Sequence, residues 1–449
     1  MTSSQKIADN NRGWRVFGMI GLLLTVALVV IDDCQSQFHN DFYSVFLAAA
    51  MMAKSGRMNE LYLTLEKTGS VGAPFDVFAH QLLPHLDLTT VFAYPPFVAL
   101  AFLPFTVLPL KTAMIVWQVM LLCAYFIAAK VFGRVKSVVI TCFLSAFSFC
   151  PVLQAFLLGQ PCGLFIFMPG VLAYVTMCYR RYFLSGLICS FIWFKLQLAP
   201  PLAVLGVALL LSRLFKSATD SKSSASVDES AVDRPTMTEP GLNDCLRAGL
   251  GFAVGTISLF GFTVLLFGWT PIKAWIELLG QFSKSYYDPG YLSFGSVPCA
   301  LLFFVPPAQA VIYRQLAAAG VVLGWLSLLM LCYRLFRSNL NWALKMDLAI
   351  TLLVGGLPLF SYYLGFYDNQ MYLLVLWLCL FCLPISAVRT KVKQYLLTVW
   401  IGLNAYFFCC ASVSFYGQLL LLVLFAICVM YVRVVLEIIR IDSMTMLHK

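Results

Sequence analysis

Charge is what this chain has least of. Only 11% of its 449 residues are Asp, Glu, Lys or Arg, against 61% apolar residues and a mean hydropathy of +0.87. Soluble domains carry roughly a quarter charged residues, so a soluble domain is excluded and a polytopic membrane protein is implied. The formal net charge of +10 does not point to nucleic acid, because Lys and Arg gather in short clusters between apolar runs, as the positive-inside rule expects. A paired thiol framework is also missing. Of the 15 cysteines, most, such as Cys123, Cys142, Cys150, Cys189 and Cys428, lie inside apolar runs as small buried residues. Cys379-Leu-Phe-Cys382 has no second ligand pair, which argues against a zinc or redox motif. No small-x-small cleavage site follows the first apolar run, so that run reads as an uncleaved helix. The lack of an internal repeat weakens an inverted-repeat transporter.

What the chain does have is a succession of apolar runs. The first, Trp14 to Ile31, follows Lys6, Arg12 and Arg15, which puts the N-terminus in the cytoplasm. Further spans are expected near 112–132, 137–155, 162–179, 183–199, 200–215, 246–268, 312–333, 346–365, 371–387, 395–412 and 416–434. With the first, they make an all-α bundle of about twelve transmembrane helices with both termini cytoplasmic. Between the first two spans lies an outer loop, residues 32–111, too polar to cross a bilayer. Phe42, Val45, Phe46, Ala49, Met52 and Ala53 recur there at helical spacing and stop at Ser55-Gly56, predicting an amphipathic interfacial helix. Pro95 to Leu110, broken by Pro104 and Pro109, would reach only about 24 Å as a helix and reads as a short re-entrant or tilted element. Pro298 to Pro307 reads the same way. The Ser-, Thr- and acid-rich stretch within 216–245 is expected to be a disordered cytoplasmic connector between an N-terminal bundle, 1–215, and a C-terminal one, 246–449.

This topology gathers polar residues on the outer side: Asp32, Asp33, His39, Asn40, Asp41, Tyr94, Gln160, Lys195 and the Tyr367-Asp368-Asn369-Gln370 turn. Each has two readings. Asp41 is a good helix N-cap or, in a water-excluded cavity, a general base for a substrate hydroxyl. Lys195, in Trp193-Phe194-Lys195-Leu196-Gln197, either snorkels to the interface or recognises an anion such as phosphate. Gln160 is a turn residue or a ligand, and Asp368 is an exterior turn residue or a substrate contact.

The order of these motifs resembles family 87 glycosyltransferases of the GT-C class. The resemblance is carried by Asp41 with the Ala-rich stretch to Ala53, Gly56, Leu61-Tyr62, Phe92-Ala93-Tyr94-Pro95-Pro96, Leu158-Gly159-Gln160, Ser185-Gly186, and Lys195 with Pro200. It covers roughly 35–215; the family often has a polar residue after Gly-Gln, where this chain has Pro161-Cys162. The resemblance implies an inverting enzyme that moves a sugar, commonly mannose and in some members arabinofuranose, from a polyprenyl-phosphate donor. The acceptor would be a lipid or glycan on the outer face of a membrane, here the bacterial inner membrane. It implies Asp41 as catalytic base, Lys195 opposite the leaving phosphate, and Gln160, Tyr94 and Asp368 as further substrate-binding residues. No cofactor is implied, and no metal is required by the sequence, because no DxD-like pair is evident. The chief alternative is a transporter or flippase of a lipid or small solute. A second is a non-catalytic membrane scaffold.

Overall fold

A chain this apolar has to satisfy its backbone internally, and among the described residues all regular structure is helical. The computed structural model describes residues 12–35, 41–63, 73–82, 92–133, 135–215, 239–285, 298, 305–361, 366–383, 386–409 and 416–447. His39 and Asn40, most of the connector and residues 299–304 of the Pro298 to Pro307 stretch lie outside them.

Helix α1 (Arg12–Gln35) is followed by a π-helical turn, Phe42–Leu47, and α2 (Ala48–Lys54). The sequence predicts a surface helix here, and the structure corrects that. Phe42, Tyr43, Phe46, Leu47, Ala48, Ala49, Ala50, Met52 and Ala53 are all buried, so the element is packed on nearly every side. The reason is local. The 3.6-residue pattern marks one apolar face, but the alanines and Tyr43 between those positions are small or apolar enough to be covered as well.

The Pro-broken stretch forms α3 (Pro96–Ala101) and a 3-10 turn, Leu103–Val107, each too short to cross a bilayer. Next come α4 (Leu110–Phe132), α5 (Lys136–Phe147), α6 (Cys150–Leu158) and α7 (Met168–Cys178). They are followed by α8 (Tyr182–Cys189), α9 (Ala199–Leu214), α10 (Leu242–Phe267), α11 (Ala310–Arg337) and α12 (Trp342–Gly355). Then come a 3-10 turn, Phe366–Met371, and α13 (Tyr372–Phe381), α14 (Ser386–Cys409) and α15 (Tyr416–Leu447).

Among the described residues four helices are long and apolar enough to cross a membrane, or five if α5 and α6, bent by 69°, count as one span. The expected twelve are not confirmed among these residues, and short π and 3-10 turns, Gly163–Phe167 and Ser190–Leu198, interrupt two of the expected spans, 162–179 and 183–199.

One of the four, Tyr182–Leu214, has 33 residues, enough for a straight helix of about 50 Å. It folds back instead. Near its start, Gly186 lies against the backbone of Ala248, so closely that a Cβ there would sit 1.9 Å from the Ala248 oxygen. Near its end, Arg213 Nη1 donates to Glu239 Oε1 at 2.6 Å, just ahead of α10. Both ends therefore meet the start of α10. The chain turns between them, where Lys195 leaves the helical region with φ −152° and ψ 82°. Two spans, 183–199 and 200–215, were the expectation for this stretch.

The halves share one interior. Tyr174 of α7 donates to Asp347 of α12 at 2.7 Å, and Trp377 of α13 donates to Ser145 of α5 at 3.1 Å.

Candidate active site

Three breaks in helical structure bring the site together. The first is the π turn that begins after Asp41. A π turn is wider than an α turn and recurs at functional positions. Asp41 itself has helical φ and ψ, and its side chain makes no capping hydrogen bond. The cap reading therefore does not account for the acid. The Phe42 ring next to it stacks on Trp117 at 5.8 Å and meets Phe102 and Phe105 edge-on, which fixes the turn on an aromatic seat.

The second break ends α6. Gly159 adopts φ +65°, Gly159 N donates to Phe156 O, and Gln160 N donates to Ala155 O at 2.8 Å, the Schellman arrangement. A side chain at 159 would also meet Phe42 Cβ at 2.4 Å, so only glycine lets this loop approach the π turn. Trp117 Nε1 donates to Gly159 O at 2.9 Å and holds the loop from the other side. Gln160 is thereby presented to Asp41, and its Nε2 donates to Asp41 Oδ2.

The third break is at Lys195. Its Nζ lies 2.6 Å from Asp368 Oδ1, in a pair whose side chains are 1% and 0% exposed. Nζ also donates to Cys162 Sγ at 3.1 Å and to Gln160 Oε1 at 3.4 Å. Snorkelling is excluded, because the ammonium points into the bundle. Asp368 Oδ2 accepts from Gln197 Nε2 at 3.4 Å, and Oδ1 accepts from the Cys162 thiol at 3.3 Å. Asp368 is thus no exterior turn residue. Beside it, Gln370 accepts from the Tyr125 hydroxyl.

Tyr94 closes the group. Its hydroxyl donates to Gln160 Oε1 at 3.4 Å, its carbonyl accepts from Tyr62 at 2.8 Å, and its ring lies 5.0 Å from Phe46. Pro95, which restricts the residue before it to extended backbone, and Pro96, in the first turn of α3, set its direction.

All five residues expected at a site, Asp41, Tyr94, Gln160, Lys195 and Asp368, are therefore in one hydrogen-bonded group. They form two layers. Asp41 and Tyr94 are half-buried, while Gln160, Lys195 and Asp368 lie beneath them. Burial pushes the Asp41 carboxyl up to about 6, while the Lys195 charge and the Gln160 hydrogen bond pull it down. The sequence reading passed over Cys162 and Gln197 as members of this group. Gln197, two residues from Lys195, was open to detection by proximity, whereas Cys162 carried no polar signal.

Asp32 and Asp33 fall in the last turns of α1. Among the described residues no group of three or more His, Cys, Asp or Glu is placed to hold a metal ion.

Segment 92–224 contributes Tyr94, Gln160, Cys162 and Lys195 to this group. That segment matches the family model of glycosyltransferase family 87. The family 87 match implies a membrane glycosyltransferase, with donor and acceptor substrates. It stops short of Asp41 and Asp368, which the fold joins to the matched segment through Gln160 and Lys195. No curated protein and no solved structure matches the chain.

Proposed function

We propose that the chain transfers a sugar from a polyprenyl-phosphate-linked donor, a hexose such as mannose or a pentose, to a hydroxyl of a lipid or glycan acceptor. The observation that carries this reading is an uncapped, half-buried carboxylate, Asp41, hydrogen-bonded to Gln160 of the family 87 segment. In the reaction, the acceptor oxygen attacks the anomeric carbon from the face opposite the phosphate. Asp41 takes the hydroxyl proton, the bond from carbon to phosphate oxygen breaks, and the polyprenyl phosphate departs with its electron pair. Attack from the opposite face inverts the anomeric centre.

Lys195 acts as a fixed charge one layer back. Its field reaches Asp41, and a phosphate beside Asp41 would feel the same field in a medium of low dielectric. Tyr94 is the half-buried hydroxyl available to the sugar or phosphate. Asp368, with its carboxylate occupied by Lys195, Gln197 and Cys162, serves to hold the lysine.

Helix direction supports an outer-face site. α7 leads from the Gln160 side to Arg180 and Arg181, α9 from the Lys195 side to Arg213, and α12, which carries Lys345 in its first turn, leads toward Asp368. The basic residues thus lie at the end of the bundle opposite the carboxylates. By the positive-inside rule that end is cytoplasmic, with both termini on the same side in a bacterial inner membrane. We read residues 1–215 and 246–449 as two bundles sharing one site, joined by a cytoplasmic connector.

The test is direct. Purified protein is incubated with a panel of polyprenyl-phosphate sugars and product mass is measured. One sugar should transfer without added metal, and Asp41→Asn should lose transfer while still binding that donor. Transfer unchanged in Asp41→Asn would remove the base, and donor movement across vesicles without any transfer would favour a flippase.

A further inference from the structure

Gln160 has an amide that could point either way, and its neighbours allow only one. Its Nε2 faces the Asp41 carboxylate, while its Oε1 accepts from the Lys195 ammonium and the Tyr94 hydroxyl, both at 3.4 Å. The flipped amide would set an oxygen against a carboxylate and an NH2 against an ammonium, so both ends would repel. The ammonium that fixes the carbonyl end is itself held, with Asp368 at 2.6 Å and Cys162 Sγ at 3.1 Å meeting two further N–H directions. Gln160 is 1% exposed, so water does not compete for these bonds. The backbone is equally constrained, since the left-handed Gly159 and the contact with Phe42 seat the loop.

We propose that Gln160 is a positioning residue for Asp41, its amide locked by the Lys195–Asp368 ion pair, so that two buried charges aim a carboxylate they do not touch. The inference rests on the reading of Asp41 as the base and deepens it. It assigns Lys195, Asp368 and Cys162 a role that needs no contact with the donor. A carboxylate free to rotate about its side-chain torsions would present the wrong lone pair to the acceptor hydroxyl much of the time, and small misplacements of a reacting group are costly.

Infrared spectra of the full-length protein in lipid nanodiscs provide the test. The Asp41 carboxylate band is identified by its loss in Asp41→Asn. Gln160→Met, of similar shape without the amide, should shift and broaden that band. Lys195→Met/Asp368→Leu, which removes both buried charges and leaves the core neutral, should do the same although neither residue touches Asp41. A wild-type band in the double replacement overturns the proposal.

Transfer kinetics give a second readout. In Gln160→Met, which leaves both buried charges in place, kcat should fall about tenfold, a fraction of what a general base supplies, with donor KM within about twofold of wild type. Gln160→Met should also move the acid limb of the pH profile upward, because a hydrogen bond that favours the charged carboxylate is gone, with Lys195, Asp368, Cys162 and Tyr94 still facing the site. A raised donor KM at unchanged kcat would mean direct substrate contact and overturn the proposal. If the protein transfers no sugar at all, the functional reading fails, and the infrared bands still decide whether Gln160 positions Asp41.

Discussion

Asp41 carries two opposed environments, and their balance sets a pH dependence. Burial disfavours the carboxylate, while Lys195 and Gln160 favour it, and burial is the larger effect, leaving the carboxyl at about 6. Only the ionised form can accept a proton, so transfer should be full above that value. It should fall as pH drops through it, by about tenfold for each further unit. A kcat/KM profile checks this, and a rate flat from pH 5 to 7 would contradict it. Asp41→Asn should cost roughly a hundredfold to ten-thousandfold in kcat. A neighbouring residue tests the backbone. Gly159→Ala should lose about 1–2 kcal/mol from the left-handed φ alone, with more from the clash with Phe42. Thermal unfolding in detergent should show the lower midpoint. Gly159-Gln160 was legible as a tight break, because glycine before a polar residue and a proline has few other uses. Which group Gln160 would face was not legible, because that depends on how distant segments pack.

The π turn, Phe42–Leu47, and α2 behave as core, and this is where periodicity misleads. A pattern of apolar residues at 3.6 spacing tells which face is buried first. It does not tell whether the other faces are covered too, which depends on the neighbours brought in by tertiary packing. Here Phe102, Phe105 and Trp117 cover the Phe42 side and Tyr94 covers Phe46. Phe42→Ala should therefore destabilise by about 3–5 kcal/mol, as for a buried core aromatic, rather than act as a lipid-facing change. It should also lower transfer in the folded fraction, because the turn that carries Asp41 loses its seat. Stability and kcat measured on one preparation distinguish the two effects, and a near-neutral Phe42→Ala would restore the surface-helix reading. The Lys195–Asp368 pair was hidden for a similar reason. Lys195 could be seen as an intramembrane charge needing a partner, but Asp368 read as an exterior turn residue, and sequence distance gives no hint of which acid answers the lysine.

At the scale of the whole molecule, the fold-back at Lys195 decides sidedness. Gly186 and Arg213 both meet the start of α10, so the basic residues at either end of Tyr182–Leu214 lie at one end of the bundle and Lys195 at the other. A single straight span would instead separate Arg180 and Arg181 from Arg213 by a full membrane, in conflict with the positive-inside rule. The contacts along α8 and α10 give the fold-back its strength. Gly251 lies against Phe183 O and Gly255 against Ser190, so the two backbones touch through small residues, as closely packed membrane helices do. The consequence can be measured in intact cells with a membrane-impermeant maleimide, in a background whose reactive native cysteines are replaced. Tyr179→Cys and Phe215→Cys, both exposed, flank the hairpin and should resist labelling from outside together and become reactive together once the membrane is opened. Leu63→Cys, exposed beyond α2 on the Asp41 side, should label from outside. Opposite labelling of Tyr179→Cys and Phe215→Cys would make Tyr182–Leu214 a single crossing and move the carboxylate cluster away from the outer face. Shared labelling with Leu63→Cys reactive from outside would leave Asp41 where a lipid-linked donor on the outer leaflet can reach it.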